Sequence, residues 1–160
     1  MTTMNGRRLL LNGAHLGYDV LRATLQPIGV GVRVLLVHDD AALLVYHSYV
    51  PYWHLPGGGL KRGETLEAAA RREVYEEAGA VVTGPLALLG IFLGNTRMRS
   101  DHTAVFACEA FALQPPTDRW EIEGRAFFAL DRLPDNVTRG YRRLIARWRD
   151  GDRSMQIGTW

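Results

Sequence analysis

A mixed α/β fold is what this sequence predicts, and three observations predict it. Apolar runs of strand length stand before one helix-like stretch, more follow it, and a second, basic amphipathic stretch lies near the C-terminus. The 160 residues, with 47% hydrophobic and 22% charged side chains, are enough to bury a substantial core in a single domain. Periodicity by itself goes no further than this class.

The elements follow in order. From Arg8 to Leu25 the apolar positions Leu9, Leu16, Val20, Leu21 and Leu25 trace an amphipathic helix, weakened by Gly13 and Gly17 and ended by Gln26-Pro27. Its expected role is packing on the domain or on a second subunit, with a membrane-surface or partner contact as the sharper alternative. Arg7-Arg8 before Leu9-Leu10-Leu11 has the flavour of an export signal. However, Asn12, Gly13, His15 and Gly17 break the run and no small-residue cleavage site follows. No stretch approaches the roughly 20 apolar residues that span a bilayer.

Gly29 to Val37 reads as a strand, Asp39-Asp40 as a turn, and Ala42 to His47 as a second strand. Arg33 stands alone among apolar neighbours, either as a satisfied charge at the core edge or as a group facing an anion. Pro51-Tyr52-Trp53-His54 comes next, and its aromatics either line the lip of a phosphate site or fill the core. Leu55-Pro56 and the glycines Gly57, Gly58 and Gly59 then suit a loop that turns sharply or approaches a ligand closely.

Thr65 starts a helix whose Leu66, Ala70, Val74 and Ala78 form a buried stripe, and Gly79 is its expected C′ residue. Beside the stripe, Glu73, Glu76 and Glu77 place three carboxylates on one face, neighbouring Cβ atoms roughly 5–6 Å apart. Like charges so arranged cost a helix a few tenths of a kcal/mol per pair. A hard divalent cation such as Mg²⁺, which takes oxygen ligands, would reverse that cost. Arg72 stands beside Glu73 and could pair with Glu64, locking the glycine loop onto the helix.

Val81 to Leu93 reads as a bent strand interrupted by Gly84-Pro85 and Gly90, Gly94 to Asp101 as a loop, and His102 to Leu113 as a strand burying Cys108. In the loop, Arg97 and Arg99 could each hold a phosphate bidentately, against a simple solvated role. Glu121 and Glu123 precede a last strand, Ala126 to Leu130. Val137, Tyr141, Leu144, Ile145 and Trp148 then give a helical stripe, with five arginines on the other faces as an expected solvated surface, against an RNA or membrane contact.

Composition excludes some functions. Net charge is +2 with Lys61 the only lysine, too near neutral to argue for nucleic acid as a bulk partner. Cys108 is the single cysteine, so no internal disulfide forms; this fits a reducing compartment, and a cytoplasmic location is expected.

Gly58, Glu64, Arg72, Glu73, Glu76, Glu77 and Gly79, with Val74 between, fit G-x5-E-x7-R-E-U-x-E-E-x-G-U, and the stretch resembles the Nudix box. Ala80 is smaller than the aliphatic usual at its last position. Seven such positions coincide by chance on the order of once in a hundred million windows. The plain alternative is an acidic, solvated helix after a glycine turn.

The resemblance implies an α/β/α sandwich with a mixed sheet, carrying the N-terminal helix as an extra element. The spans are then 1–27 for that extension, 28–150 for the Nudix domain and 151–160 for a tail. It further implies hydrolysis, dependent on Mg²⁺ (Mn²⁺ as the alternative), of a diphosphate bond in a nucleoside diphosphate linked to another group. Glu77 and the Gly57 carbonyl would be metal ligands, Glu73 and Glu76 would complete the cluster, and Glu73 is the candidate base. Arg72 acts with Glu73 and Glu76 in the catalytic set, while Gly58, Glu64 and Gly79 are structural. His47 falls where similar proteins carry a basic phosphate contact, against an ordinary strand-end histidine. Glu121 or Glu123 falls where they carry an extra carboxylate, although Gly124 departs from that pattern. Together with Arg33, Trp53, Arg97 and Arg99, these form the candidate substrate-binding set.

The substrate stays open among nucleoside triphosphates, ADP-ribose and nucleotide sugars, because Asn95, Thr96 and Arg97 stand where the family's substrate-marking residues lie. A homodimer is also open. Two other classes share the fold: a non-catalytic nucleotide-sensing module, and an isopentenyl diphosphate isomerase. The isomerase needs a catalytic cysteine in its own motif, which Cys108 does not match.

Overall fold

A computed structural model describes residues 28–96, 99–117 and 120–160; residues 95, 96, 99 and 100 are described by backbone alone. The helix expected before Pro27, and Arg97, lie outside the described residues. Strands β1 (Ile28–His38) and β2 (Ala41–His47) are joined at Asp39-Asp40, both left-handed with φ of 47° and 55°. That is the backbone of a two-residue hairpin turn, and aspartate tolerates it better than most residues.

The two strands pair only beside this turn, from Leu36↔Leu43 to His38↔Ala41, and then part. The chain from Trp53 to Leu60 fills the wedge between them. Strand β3 (Trp53–His54) pairs with Tyr46 and Val45 of β2. The Pro56 and Gly58 carbonyls accept hydrogen bonds from the amides of Val34 and Val32, each at 2.9 Å. The glycine loop is thus stitched into the sheet on its β1 side.

Helix α1 (Leu66–Ala78) begins at Thr65, whose hydroxyl accepts from the Ala68 amide, and ends at Gly79 with φ 63°. A methyl at Gly79 would sit 2.0 Å from the Gln114 carbonyl, so glycine is required there for space as well as for conformation. The remaining elements are β4 (Ala80–Val82), β5 (Ala87–Thr96), β6 (Arg99–Cys108), β7 (Phe111–Leu113), β8 (Ile122–Ala129), α2 (Arg139–Arg149) and β9 (Gln156–Thr159). In the main sheet, β1 runs parallel to β6, β6 antiparallel to β5, and β5 parallel to β9; β8 covers the far side of β2. Strands β4 and β7 form a separate pair.

Alternation along the strands sends Val32, Val34, Leu36, Leu43 and Val45 to one face, where they meet Ala70, Val74 and Ala78 of α1. Leu35, Val37, Ala42 and Leu44 go to the other face, against Tyr141, Leu144, Ile145 and Trp148 of α2. This is the expected α/β/α sandwich. Burial on both faces explains why β1 reads as an almost unbroken apolar run.

Four boundaries differ from the sequence reading. Val81 to Leu93 is two strands in two sheets, because Pro85 has no amide to continue a ladder and the Thr83 and Gly84 amides turn to the Ala110 carbonyl. His102 to Leu113 likewise divides at Glu109-Ala110 into β6 and β7. Of the stretch read as a loop, 94–96 and 99–101 continue β5 and β6, paired up to Thr96↔Arg99, since cross-strand pairing overrides polar composition there. Within 151–160, β9 extends the sheet although all four of its residues are exposed. Beyond it Trp160 stacks on Phe92, centroids 4.7 Å apart. Among the described residues no helix is long and apolar enough to cross a membrane.

Candidate active site

Helix α1 lies under the glycine loop, and the loop's glycines let it come close. Gly57 has φ 146°, and a methyl on it would sit 2.1 Å from the Val32 carbonyl oxygen. A methyl on Gly58 would sit 2.7 Å from the Glu73 carboxylate. Beneath them Glu73 and Glu77 are buried, while Glu76 is partly exposed.

Arg72 ties loop to helix as its position implied. Nε and Nη2 donate to the two oxygens of Glu64 at 2.8 Å each, and Nη2 also reaches the Gly59 carbonyl at 3.1 Å. Nη1 donates to Glu73 at 2.6 Å and to Glu76 at 3.0 Å. Lys61, a cation the sequence reading did not assign, stands 3.6 Å from Glu76. The like charges of α1 are therefore neutralised by a guanidinium that also fixes the loop.

The Arg72 hydrogen bonds, then the Lys61 amide, hold the Glu64 carboxyl down at about 2. A depressed acid contributes stability that is full above its unfolded value of 4.5 and is lost as pH falls toward about 2. Glu64→Gln is accordingly expected to lower the melting temperature at neutral pH, with the gap to wild type closing as pH falls through that window. Melts across pH measure it; a gap independent of pH would sink the assignment.

Glu77 accepts from the Gly57 amide at 2.9 Å, and its other oxygen lies 3.8 Å from His47 Nε2. Burial lifts its carboxyl to about 7, against the pull of Arg33 and the Gly57 amide; Glu73 and Glu121 add to the rise. Arg33 donates to the Leu55 carbonyl at 3.0 Å and to the Gly57 carbonyl. Burial weakens this cation, but Tyr141, Glu77, Tyr49 and Glu73 more than restore it, so its proton is held more tightly than usual. Arg33 is thus a satisfied charge, and it sits among the glutamates.

The other candidates separate. His47 is buried, its ring against Tyr49 and His54. Glu121 comes within electrostatic reach of Glu77, whereas Glu123 is exposed. Trp53 is half-buried and packs on Tyr46 and Phe128 beside the α2-side core. The side chain of Arg99 is not described. Sequence reasoning passed over Arg125, which caps α1 through the Ala78 and Gln114 carbonyls. It also left Tyr141 in the core, and no local signal marks either residue.

Among the described residues no three His, Cys, Asp or Glu side chains converge as they stand on a single cation position. Arg72 and Arg33 hold the oxygens instead. The donor chemistry nevertheless suits a hard cation, since Glu73, Glu76, Glu77 and the Gly57 carbonyl offer oxygen only.

The model of the NUDIX domain matches residues 27–148. Over 70 residues the chain is 49% identical to diphosphoinositol polyphosphate phosphohydrolase 3-alpha of Mus musculus, covering 42% of this chain and 41% of that protein. The chain therefore spans about two fifths of the length of these first relatives. It is 29% identical over 126 residues to a Bacillus subtilis (strain 168) protein provisionally named 8-oxo-dGTP diphosphatase, covering 78% and 81% of the two chains. The solved structure of a MutT NUDIX hydrolase from Burkholderia pseudomallei superposes with a TM-score of 0.68 at 27% identity, over 74% of this chain and 96% of that one.

Proposed function

The chain belongs to the Nudix family, and from that premise we propose that it hydrolyses the diphosphate bond of a nucleoside diphosphate linked to another group. Nucleoside triphosphates, ADP-ribose and nucleotide sugars are the candidate substrates. One observation carries the reading: Arg72 gathers Glu64, the Gly59 carbonyl, Glu73 and Glu76, so that the acidic face of α1 is fixed under the glycine loop.

Glu73, Glu76, Glu77 and the Gly57 carbonyl would hold Mg²⁺, or Mn²⁺ in its place. When bound, the cation neutralises and orients the diphosphate. Arg72 sets the Glu73 and Glu76 rotamers, and the Gly57 amide sets that of Glu77. Glu73, buried against Gly58, is the group assigned to accept a proton from the attacking water. Arg33 would have to share or yield the Gly57 carbonyl as the cation enters.

The named relatives add an oxidised nucleoside triphosphate and diphosphoinositol polyphosphates to the substrates worth testing. Purified protein with Mg²⁺ would be given each in turn, measuring phosphate released with and without added phosphatase, and Glu76→Gln would run alongside. Turnover of one class at kcat/KM near about 10⁴ M⁻¹s⁻¹ or above, lost in the variant, supports the proposal. No turnover of any substrate, with a nucleotide still raising the melting temperature, would favour the sensing module instead.

A further inference from the structure

A cleft of about 790 Å³ opens between the end of β3, the first turn of α2 and the C-terminal residue. His54, Thr138, Arg139, Tyr141, Arg143 and Trp160 are among its lining residues. It adjoins the glutamates through two side chains: the His54 ring meets that of His47 at 5.4 Å, and His47 stands 3.8 Å from Glu77.

The aromatic walls are already committed to packing. Trp160 stacks on Phe92 and meets Tyr141 edge-on, and Gly140 lies so close to it that a methyl there would sit 2.7 Å from the indole. Tyr141 is buried and also meets His54. What the rim offers a ligand beside these apolar walls is charge and hydrogen bonding.

Arg139 and Arg143 are exposed at its rim, and among the described residues neither has an ion-pair partner. Among the described residues no acidic side chain lines the cleft. The Thr138 hydroxyl makes no capping bond to α2. The buried Nε2 of His54 has no hydrogen-bond partner among the described residues. Burial, then the Arg33 cation, keep this imidazole neutral at physiological pH by lowering it to about 4, so one of its nitrogens carries a hydrogen to donate. Two guanidinium forks with an adjacent hydroxyl and imidazole match the oxygens of a phosphate.

Resting on the hydrolase reading, we infer that this cleft is an anion subsite that takes a phosphate of the substrate lying beyond the scissile diphosphate. Substrates carrying such a phosphate are then preferred over those whose only phosphates are the two being separated.

The first test is metal-free. In EDTA no divalent cation bridges an anion to the glutamates, so titration calorimetry with inorganic tripolyphosphate on wild type and variants reports on the arginines of the cleft. Arg139→Gln/Arg143→Gln is expected to weaken binding at least tenfold with its melting temperature unchanged. Arg149→Gln, at the far end of α2 and paired with Asp150, should bind as wild type does. The second test is kinetic, comparing ADP-ribose with its 2′-phosphorylated form and a nucleoside di- with a triphosphate. The double variant should lose the preference for the more phosphorylated member through KM, with kcat preserved. Equal tripolyphosphate binding by wild type and double variant, or an equal loss on both members of a pair, would overturn the subsite. Absence of all turnover by wild type would instead remove the hydrolase reading and leave the metal-free binding result to be judged by itself.

Discussion

Glu77→Gln is expected to cut turnover steeply and to leave the protein at least as stable as wild type in metal-free buffer. The carboxyl is buried, and burial alone raises its proton affinity strongly. A neutral amide of the same shape escapes the desolvation that an ionised carboxylate suffers there. The amide oxygen can still accept from the Gly57 amide, so the loop keeps its anchor. What disappears is the negative charge that a divalent cation needs. Since changing a residue that merely supports a ligand costs roughly 10–100-fold, losing Glu77 itself is expected to cost about a hundredfold or more in kcat/KM. Melting curves in EDTA, and the shift that added Mg²⁺ produces in them, provide the check. Wild type should be stabilised by Mg²⁺ and the variant should not. A variant that melts well below wild type would mean that Glu77 serves the fold and not the cation.

Gly57→Ala and Gly58→Ala are expected to fail in opposite ways although the residues are neighbours. At Gly57 the added methyl would meet the Val32 carbonyl at 2.1 Å, and the backbone sits at φ 146°, which an alanine adopts only under strain. Neither obstacle can move aside, because the Val32 carbonyl belongs to a central strand. Overpacking and backbone strain together amount to about 3 kcal/mol or more. In a chain of this size that is roughly a 6–12 °C fall in melting temperature. At Gly58 the atoms nearest the methyl would be those at the end of the Glu73 side chain, at 2.7 Å. That side chain can rotate away, so stability should change little. Glu73 would then leave Arg72, and activity should fall as far as in Glu73→Gln. Calorimetry and a turnover assay on the two variants separate the effects; a Gly58→Ala protein that is fully active would remove Glu73 from the proposed base role.

The site was more legible than the fold around it, for a physical reason. Thr65, Arg72, the glutamates and Gly79 act over distances of one helix and one loop, so their spacing in the chain is nearly their spacing in space. Arg72 bonded to Glu64 could be foreseen because both residues belong to one short segment. Tyr141 beside Arg33 could not, because α2 reaches the other side of the sheet only after the whole core has assembled. The same distinction holds among the strands. β1 announces itself by an apolar run buried on both faces. β9 is exposed along its length and held by a backbone ladder to β5, so no pattern of side chains records it. Trp53 shows the remaining case: an aromatic residue before a glycine loop suits a ligand contact and core filler equally, and its contact with Phe128, from β8, comes from too far along the chain for any local pattern to record.

The wedge between β1 and β2 also sets how the site can be lost. Functional loops are commonly the parts of a protein that open first, exchanging their amide hydrogens and admitting proteases while the core stays folded. Here the amides of Val32 and Val34, in a strand paired with β6 on its other side, are the ones that hold the loop. Freeing the loop means breaking into the middle of the sheet, so these amides should exchange only when the whole domain unfolds. The backbone of the glycine loop then has no local route to disorder, and heat inactivation is expected to follow the same curve as loss of the fold.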